Sequence, residues 1–189
     1  MLIAGLTLSA NAQKKASPIA NLDDITFYGV DFSQGKIYGS TDKPDKLRQA
    51  YADINMLFLK EPAKYDVAKL LGKNIKDVRI DAVTESNENI PDDYLKSFSS
   101  SFTINDENIV NSLKNLKIEN GSGVGFVMVM QQLNKPAESG TFQLVFFDIE
   151  TRNIIKRWTM SGEPGGAGIR NFWACSVLEV LKQVKKYKE

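Results

Sequence analysis

The chain has 189 residues, of which 42% are hydrophobic and 25% charged, a composition that fits one globular domain with its own core. It carries 24 Lys and Arg against 23 Asp and Glu, and this near-neutral balance favours neither nucleic acid nor an anionic membrane as a partner. The lack of histidine and the single cysteine exclude Ser-His-Asp and Cys-His catalytic sets, histidine-bound metals and an intramolecular disulfide.

Residues 1–12, MLIAGLTLSANA, combine a short apolar run with a small-x-small ending at Ala12, the pattern that signal peptidase reads. We expect a signal peptide remnant with cleavage before Gln13, and therefore a periplasmic or secreted protein. The alternative is a buried N-terminal helix. The apolar run is too short to span a bilayer, and no later stretch reaches the roughly 20 apolar residues that a transmembrane helix needs.

Residues 13–24 are polar and predict a flexible N-terminal tail, and residues 25–189 predict a single α/β domain. Hydrophobic periodicity and helix stop signals predict the elements of its first part in chain order. The first elements are a strand over 26–32 with Thr26, Tyr28, Val30 and Phe32 on one face, a helix from Asp42 or Pro44 to before Pro62, and a short helix from Asp66 to Leu71 closed by Gly72. They are followed by a strand over 75–83, a loop over 87–89, a short helix from Pro91 to Phe98, and a helix capped by Asn105 with Ile109, Val110, Leu113 and Leu116 inward.

The second part of the chain contains two runs, 124–130 and 142–149, that are apolar at every position, as is typical of central strands covered on both faces. A hairpin at 134–140 joins them, and a tight turn at 150–153 leads to a third strand that ends near Met160. An amphipathic helix follows from Phe172 to about Tyr187, with Cys175 as a small buried residue. We expect an α/β (α+β) domain with a mixed, largely antiparallel sheet and packed helices.

The segment 162–171, GEPGGAGIRN, is the strongest candidate for a binding site. Glycines before a helix leave backbone N–H groups open to an anion, so a ligand site would use Gly165, Gly166, Gly168, Arg170 and Asn171. No Gly-Lys-Ser/Thr is present, no lysine lies in the segment, and no strand follows the helix as a dinucleotide fold requires. The alternative is a mobile surface connection without a ligand.

Acidic residues do not predict a metal site. The pairs Asp92-Asp93 and Asp106-Glu107 fit first helical turns, where carboxylates complement the helix dipole, and no calcium-loop spacing is present. Asp31, Asp148 and Glu150 are expected at strand ends. We therefore predict no catalytic residue, no metal and no cofactor.

Three short motifs carry a resemblance to known proteins: Gly29-Val30-Asp31-Phe32-Ser33, the run Leu144 to Asp148, and Arg157-Trp158 after a hairpin. They resemble uncharacterised small exported envelope proteins of Gram-negative bacteria, and the layout is similar to the α/β domains of the curli-secretion lipoprotein and the N-terminal domain of the Tol-system propeller protein. The resemblance implies a non-enzymatic domain that binds a protein partner or assembles with itself, without nucleic acid, metal or a transmembrane segment. The alternative is a small-ligand or nucleotide-binding domain that uses residues 162–171.

Overall fold

The computed structural model describes Ile19, residues 21–119 and residues 121–185. The predicted signal peptide lies outside the described residues. Ile19 is buried and Leu22 packs against the same core cluster, so the packed part of the chain begins before residue 25.

Seven strands and five helices make up the described chain. The strands are β1 (Ile25–Asp31), β2 (Lys36–Tyr38), β3 (Ile75–Val78), β4 (Lys96–Ser97), β5 (Val124–Asn134), β6 (Ser139–Asp148) and β7 (Ile154–Gly162). The helices are α1 (Pro44–Lys60), α2 (Val67–Leu71), α3 (Thr84–Glu88), α4 (Asp106–Asn115) and α5 (Ile169–Val184), with a 3₁₀ turn at Ile80–Val83.

All seven strands join one mixed sheet around β5. Strand β6 pairs antiparallel with one edge of β5 along its whole length. The other edge of β5 pairs with β1 in its first half and with β2 near its end. The pairings of β1 with β3 and β5, and of β2 with β4 and β5, are parallel, because helices separate these strands in the chain. Among the described strands, only those of the β5–β6–β7 meander pair antiparallel.

The single α/β domain with C-terminal hairpins and a closing helix is therefore confirmed. The closing helix α5 has 16 residues but starts at Ile169, three residues before the predicted Phe172, so Ile169, Arg170 and Asn171 belong to the helix and not to the connection. The expected antiparallel character applies to β5, β6 and β7, whereas the other strand pairs are parallel. The sequence motifs of the first half indicated strands and helices but did not reveal which strands are neighbours.

Two apolar clusters sandwich the sheet. On one face Phe27, Phe126 and Phe146 pack under α1 and α5, and Trp173 of α5 is fully buried in the same cluster. On the other face Val129 and its neighbours pack under α4 and the 3₁₀ turn. Apolar layers on both faces explain why the runs in β5 and β6 do not alternate with polar residues.

The alternation predicted for β1 fails at Gly29, which has φ +84° and lies within a bulge where β1 gains one residue relative to β5. The bulge reverses the facing of the residues that follow. Tyr28 therefore belongs to the cluster under α4, and Val30 belongs to the cluster under α1 and α5.

Several helix ends agree with the sequence signals. Asp66 caps α2, which ends at left-handed Gly72, and Asn105 forms a capping box with Asn108 at the start of α4. Helix α1 begins at Pro44, one of the two starts expected from the sequence. The inner stripe of α5, made of Val177, Val180, Leu181 and Val184, is buried.

Between residues 75 and 116, four local predictions were wrong. The strand expected over 75–83 ends at Val78, because Ile80, Ala82 and Val83 turn into the second core cluster. Residues 87–89, expected as a loop, largely belong to α3. Val110 is 40% exposed on α4, since Ile109 and Leu113 already form its inner face.

The fourth error concerns the helix expected from Pro91 to Phe98. The N–H groups of Tyr94 and Leu95 both bond to the Pro91 carbonyl in a tight turn, and the chain then extends into β4 beside β2. The carboxylate of Asp92 accordingly accepts a hydrogen bond from Arg48 at 2.7 Å and caps no helix. Phe98 is fully exposed instead of facing a core.

Candidate functional site

The glycine segment 162–171 lines two cavities. Gly166 borders both, Gly168 borders the first, and Gly165, Arg170 and Asn171 border the second. The five residues singled out from the sequence are therefore close together but do not share one binding surface.

The first cavity, which we call the loop cleft, has a volume of about 270 Å³. It lies where the β5–β6 hairpin, the start of α1 and the start of α5 meet. Its walls contain Ser40, Asp42, Lys46, Lys135, Gly166, Gly168, Ile169, Phe172 and Trp173. The carboxyl ends of the parallel strands β2 and β5 point to this side of the sheet, which is where ligands of open α/β sheets usually bind.

Two helix N-termini contribute to the loop cleft. Neither Lys43 before α1 nor Gly168 before α5 caps its helix with a side-chain hydrogen bond. The first-turn N–H groups of both helices thus lack a side-chain acceptor at the N-cap, and the helix dipoles place partial positive charge beside the cleft.

Lysine side chains add full positive charge to the loop cleft. Lys46 donates to Asp42 over 2.7 Å, and this hydrogen bond is the main reason that the pKa of Asp42 lies below its usual value. Lys135 lies close enough to lower the same pKa further. With two lysines and one aspartate in its walls, the cleft carries a net charge of about +1 besides the helix dipoles.

Backbone conformation explains two of the glycines. Gly166 and Gly168 have φ +86° and +79°, a region that other residues adopt only with strain. A Cβ atom at Gly168 would meet no atom within 4 Å, so the left-handed conformation, rather than crowding, requires glycine there.

The second cavity, with a volume of about 390 Å³, contains Arg170, Lys64, Tyr65 and Cys175. The Arg170 guanidinium donates to the Asn171 side-chain oxygen at 2.8 and 2.9 Å, so it is held along the surface of α5. Burial raises the pKa of Tyr65, and the nearby charge of Arg170 opposes that rise. Cys175 is only partly buried and borders this cavity, which corrects its expected place in the core.

Sequence reasoning missed the cationic side chains of both cavities. The glycine segment itself contains no lysine, but the fold brings Lys46 from α1 and Lys135 from the hairpin to the loop cleft and Lys64 to the second cavity. These residues are far from 162–171 in the chain, and no local motif connects them to it. Only a prediction that the sheet contains parallel strands would have indicated that these lysines lie close to the segment.

The acids expected at strand ends follow two patterns. Asp148 lies at the β6–β7 turn and accepts hydrogen bonds from the Thr151 N–H and hydroxyl, as expected of a turn residue. Asp31 ends β1 but is buried, with its carboxylate accepting hydrogen bonds from the Ser33 N–H and the Ser112 hydroxyl. This pairing connects β1 to α4 across the second core cluster.

In the part of the chain that the structure describes, no group of three or more acidic or cysteine side chains could hold a metal ion. None of the helices described is both long and apolar enough to cross a bilayer. A scan against models of protein families and a comparison with curated proteins found no match to this chain.

Proposed function

We propose that this chain is a non-enzymatic domain that binds a small anionic ligand, such as a phosphorylated metabolite, in the loop cleft. One observation carries the proposal: two helix N-termini without side-chain caps, two lysines and two left-handed glycines border the same cavity. Helix N-termini and lysines both favour phosphate oxygens, and glycines allow those oxygens to approach the backbone.

The apolar part of the loop cleft suggests how the rest of the ligand would bind. Ile169, Phe172 and Trp173 form its α5 wall and supply apolar surface beside the charged groups. A cavity of about 270 Å³ accommodates a small phosphorylated molecule more readily than a dinucleotide. The proposal therefore concerns a phosphate group attached to a compact organic part.

Titration with inorganic phosphate tests this function. We expect a saturable rise in melting temperature, because a ligand that binds only the folded state stabilises it by mass action. Lys135→Ala should remove most of that rise, whereas Lys114→Ala, on the exposed side of α4, should leave it unchanged. Equal shifts in both variants, or none in the parent protein, would contradict the proposal.

A second candidate function is association with a protein partner or another copy through β7. This strand runs from Ile154 to Gly162 and, among the described strands, pairs only with β6. The partner strand would add beside Ile154 and Ile155, which are 40% and 42% exposed at the start of β7. Light scattering of the parent and of Thr159→Pro tests this, and a protein that stays monomeric at all concentrations would argue against self-association.

Export to the periplasm or the medium remains a proposal that rests on residues 1–12. Mass spectrometry of the exported protein should find a chain that begins at Gln13. An intact segment from Leu2 to Ala12 in that material would overturn the assignment.

A further inference from the structure

Another cavity, which we call the Arg152 cavity, lies at the end of β5 remote from the loop cleft. Its volume is about 370 Å³, and its polar lining comes from Glu119, Ser122, Glu150 and Arg152. The Ile149 N–H donates to the Gly123 carbonyl over 3.0 Å, which ties the end of β6 to the glycine turn before β5. The cavity is thus framed by two segments that are fixed to each other.

Arg152 is the unusual residue of this cavity. Its Nη1 atom is buried and has no hydrogen-bond acceptor among the described residues. Such an unsatisfied charged donor costs about 1–3 kcal/mol or more, so a native structure rarely keeps one without reason. Its backbone has φ +62°, which is uncommon for a residue with a side chain. The N–H of Arg152 donates to the Asp148 carbonyl over 2.8 Å, so the tight turn holds the residue in this conformation.

The environment of Tyr28 indicates where the positive charge of Arg152 acts. Burial raises the pKa of the Tyr28 phenol, and the charge of Arg152 is the largest influence that opposes this rise. A smaller cavity containing Tyr28 shares Glu119, Ser122 and Ile149 with the Arg152 cavity, so the two are contiguous. Because its Nη1 atom is buried while the residue also borders the cavity, the guanidinium lies between the protein interior and the cavity.

The lining of the Arg152 cavity defines the chemistry of a ligand. The unsatisfied guanidinium N–H needs a hydrogen-bond acceptor, and among anionic acceptors a carboxylate matches the planar fork of arginine. Glu119 and Glu150 border the same cavity and form no ion pair with a described residue. Two carboxylates would repel a simple anion but would attract a ligand that also carries a positive group. Ile118 and Ile149 supply an apolar wall.

We propose that the Arg152 cavity binds a free α-amino acid with an aliphatic side chain. The ligand carboxylate accepts from Arg152, its ammonium group faces Glu119 and Glu150, and its side chain packs on Ile118 and Ile149. The site is separate from the loop cleft, and it stands whether or not the proposed function of that cleft holds.

Three matched probes test the assignment: L-leucine, 4-methylpentanoate, which lacks the ammonium group, and 3-methylbutylamine, which lacks the carboxylate. We expect L-leucine to raise the melting temperature saturably, and each analogue to bind at least about tenfold more weakly, the loss expected for one charged contact. An analogue that binds as tightly as L-leucine would overturn the proposal.

Arg152→Asn is the decisive variant, because asparagine tolerates a left-handed backbone and should keep the turn. It should abolish the effect of L-leucine. Glu138→Asn is the matched control, since Glu138 also has a positive φ, of 47°, in the β5–β6 hairpin and does not border the cavity. A leucine effect that survives Arg152→Asn, or no saturable effect in the parent, would refute the site.

Glu150→Gln provides an independent measurement if Arg152→Asn fails to fold. Removing this negative charge should weaken the binding of L-leucine and leave the binding of 4-methylpentanoate unchanged or improved. A variant that binds L-leucine as the parent does would count against the proposed role of the glutamates.

Discussion

At the scale of single residues, two buried asparagines stabilise the bulge of β1. The Asn55 side chain accepts from the Val30 N–H at 2.7 Å and donates to the Val30 carbonyl at 2.9 Å. Asn87 donates to the same carbonyl and accepts from the Phe32 N–H at 2.7 Å. These side chains satisfy backbone groups that the bulge removes from the regular ladder of the sheet.

Asn55→Ala should lower the free energy of unfolding by about 2–4 kcal/mol, because it leaves the buried Val30 N–H without its acceptor and creates a small cavity. Urea denaturation measures the loss. Gln49→Ala serves as the control on the same helix, where the side chain is exposed, and should change stability by less than about 0.5 kcal/mol. Similar losses in the two variants would show that Asn55 does not support the bulge.

Tyr51 provides a second test, which depends on pH. Its side chain is fully buried and stacks on Phe32 with ring centroids 4.2 Å apart, and its hydroxyl has no hydrogen-bond partner in the described structure. Burial raises the pKa of Tyr51 far above its usual value near 10. Above pH 10 the unfolded chain therefore loses this proton while the folded chain keeps it, and stability falls as pH rises.

Tyr51→Phe should therefore be as stable as the parent at pH 7, or more stable by about 1 kcal/mol, because the unsatisfied hydroxyl is gone. The advantage should grow above pH 10 by up to about 1.4 kcal/mol per pH unit. Urea denaturation of both proteins at pH 7 and pH 11 compares them. An equal difference at the two pH values would show that the buried hydroxyl does not control alkaline stability.

The residue scale is also where prediction from sequence was least complete. Gly29 and Asn55 are 26 positions apart in the sequence, and no local motif contains both. In the structure, a Cβ atom at Gly29 would lie 2.6 Å from the side-chain oxygen of Asn55. The same holds for Asp31 and Ser112. Contacts of this kind depend on strand order, which short motifs do not encode.

At the scale of elements, local chemistry determined most helices and the C-terminal strands. Asp66, Asn105 and Gly72 act at helix ends through bonds to backbone groups a few residues away, so their sequence signals suffice. The Pro91 segment failed because its backbone bonds to β2, a tertiary contact that outweighs the proline signal. Sequence propensity thus predicted the elements that local hydrogen bonds stabilise. It missed those whose backbone conformation depends on pairing with another strand.

Val129→Asp tests the interior position of β5. Val129 is fully buried under α4, with β1 and β6 on its two sides, so an aspartate there would be an unpaired charge in the core. We expect a loss of several kcal/mol, on the order of 3–5, in the free energy of unfolding. Val110→Asp on partly exposed α4 is the control and should cost less than about 1 kcal/mol. A parent-like melting temperature for Val129→Asp would contradict the sheet order.

At the scale of the whole molecule, the two proposed sites lie at opposite ends of β5. The loop cleft includes Lys135, which follows the last residue of β5, and the Arg152 cavity includes Ser122, just before the first. A strand of 11 residues is about 35 Å long, well beyond the screening length of roughly 8–10 Å for charges in physiological salt. Direct electrostatic coupling between the sites is therefore negligible.

The sheet between the two sites is packed on both faces. Strand β5 contributes Phe126, Met128, Met130 and Leu133 to one core cluster and Val127 and Val129 to the other. Because packed residues of both core clusters lie between the two sites, we expect the two ligands to bind independently. Calorimetric titration of L-leucine with and without saturating phosphate should give dissociation constants within about twofold of each other, because coupling then stays below about 0.4 kcal/mol. A change of tenfold or more would show that the ligands act on a shared conformational equilibrium of the sheet, and by linkage L-leucine would then change phosphate affinity by the same factor.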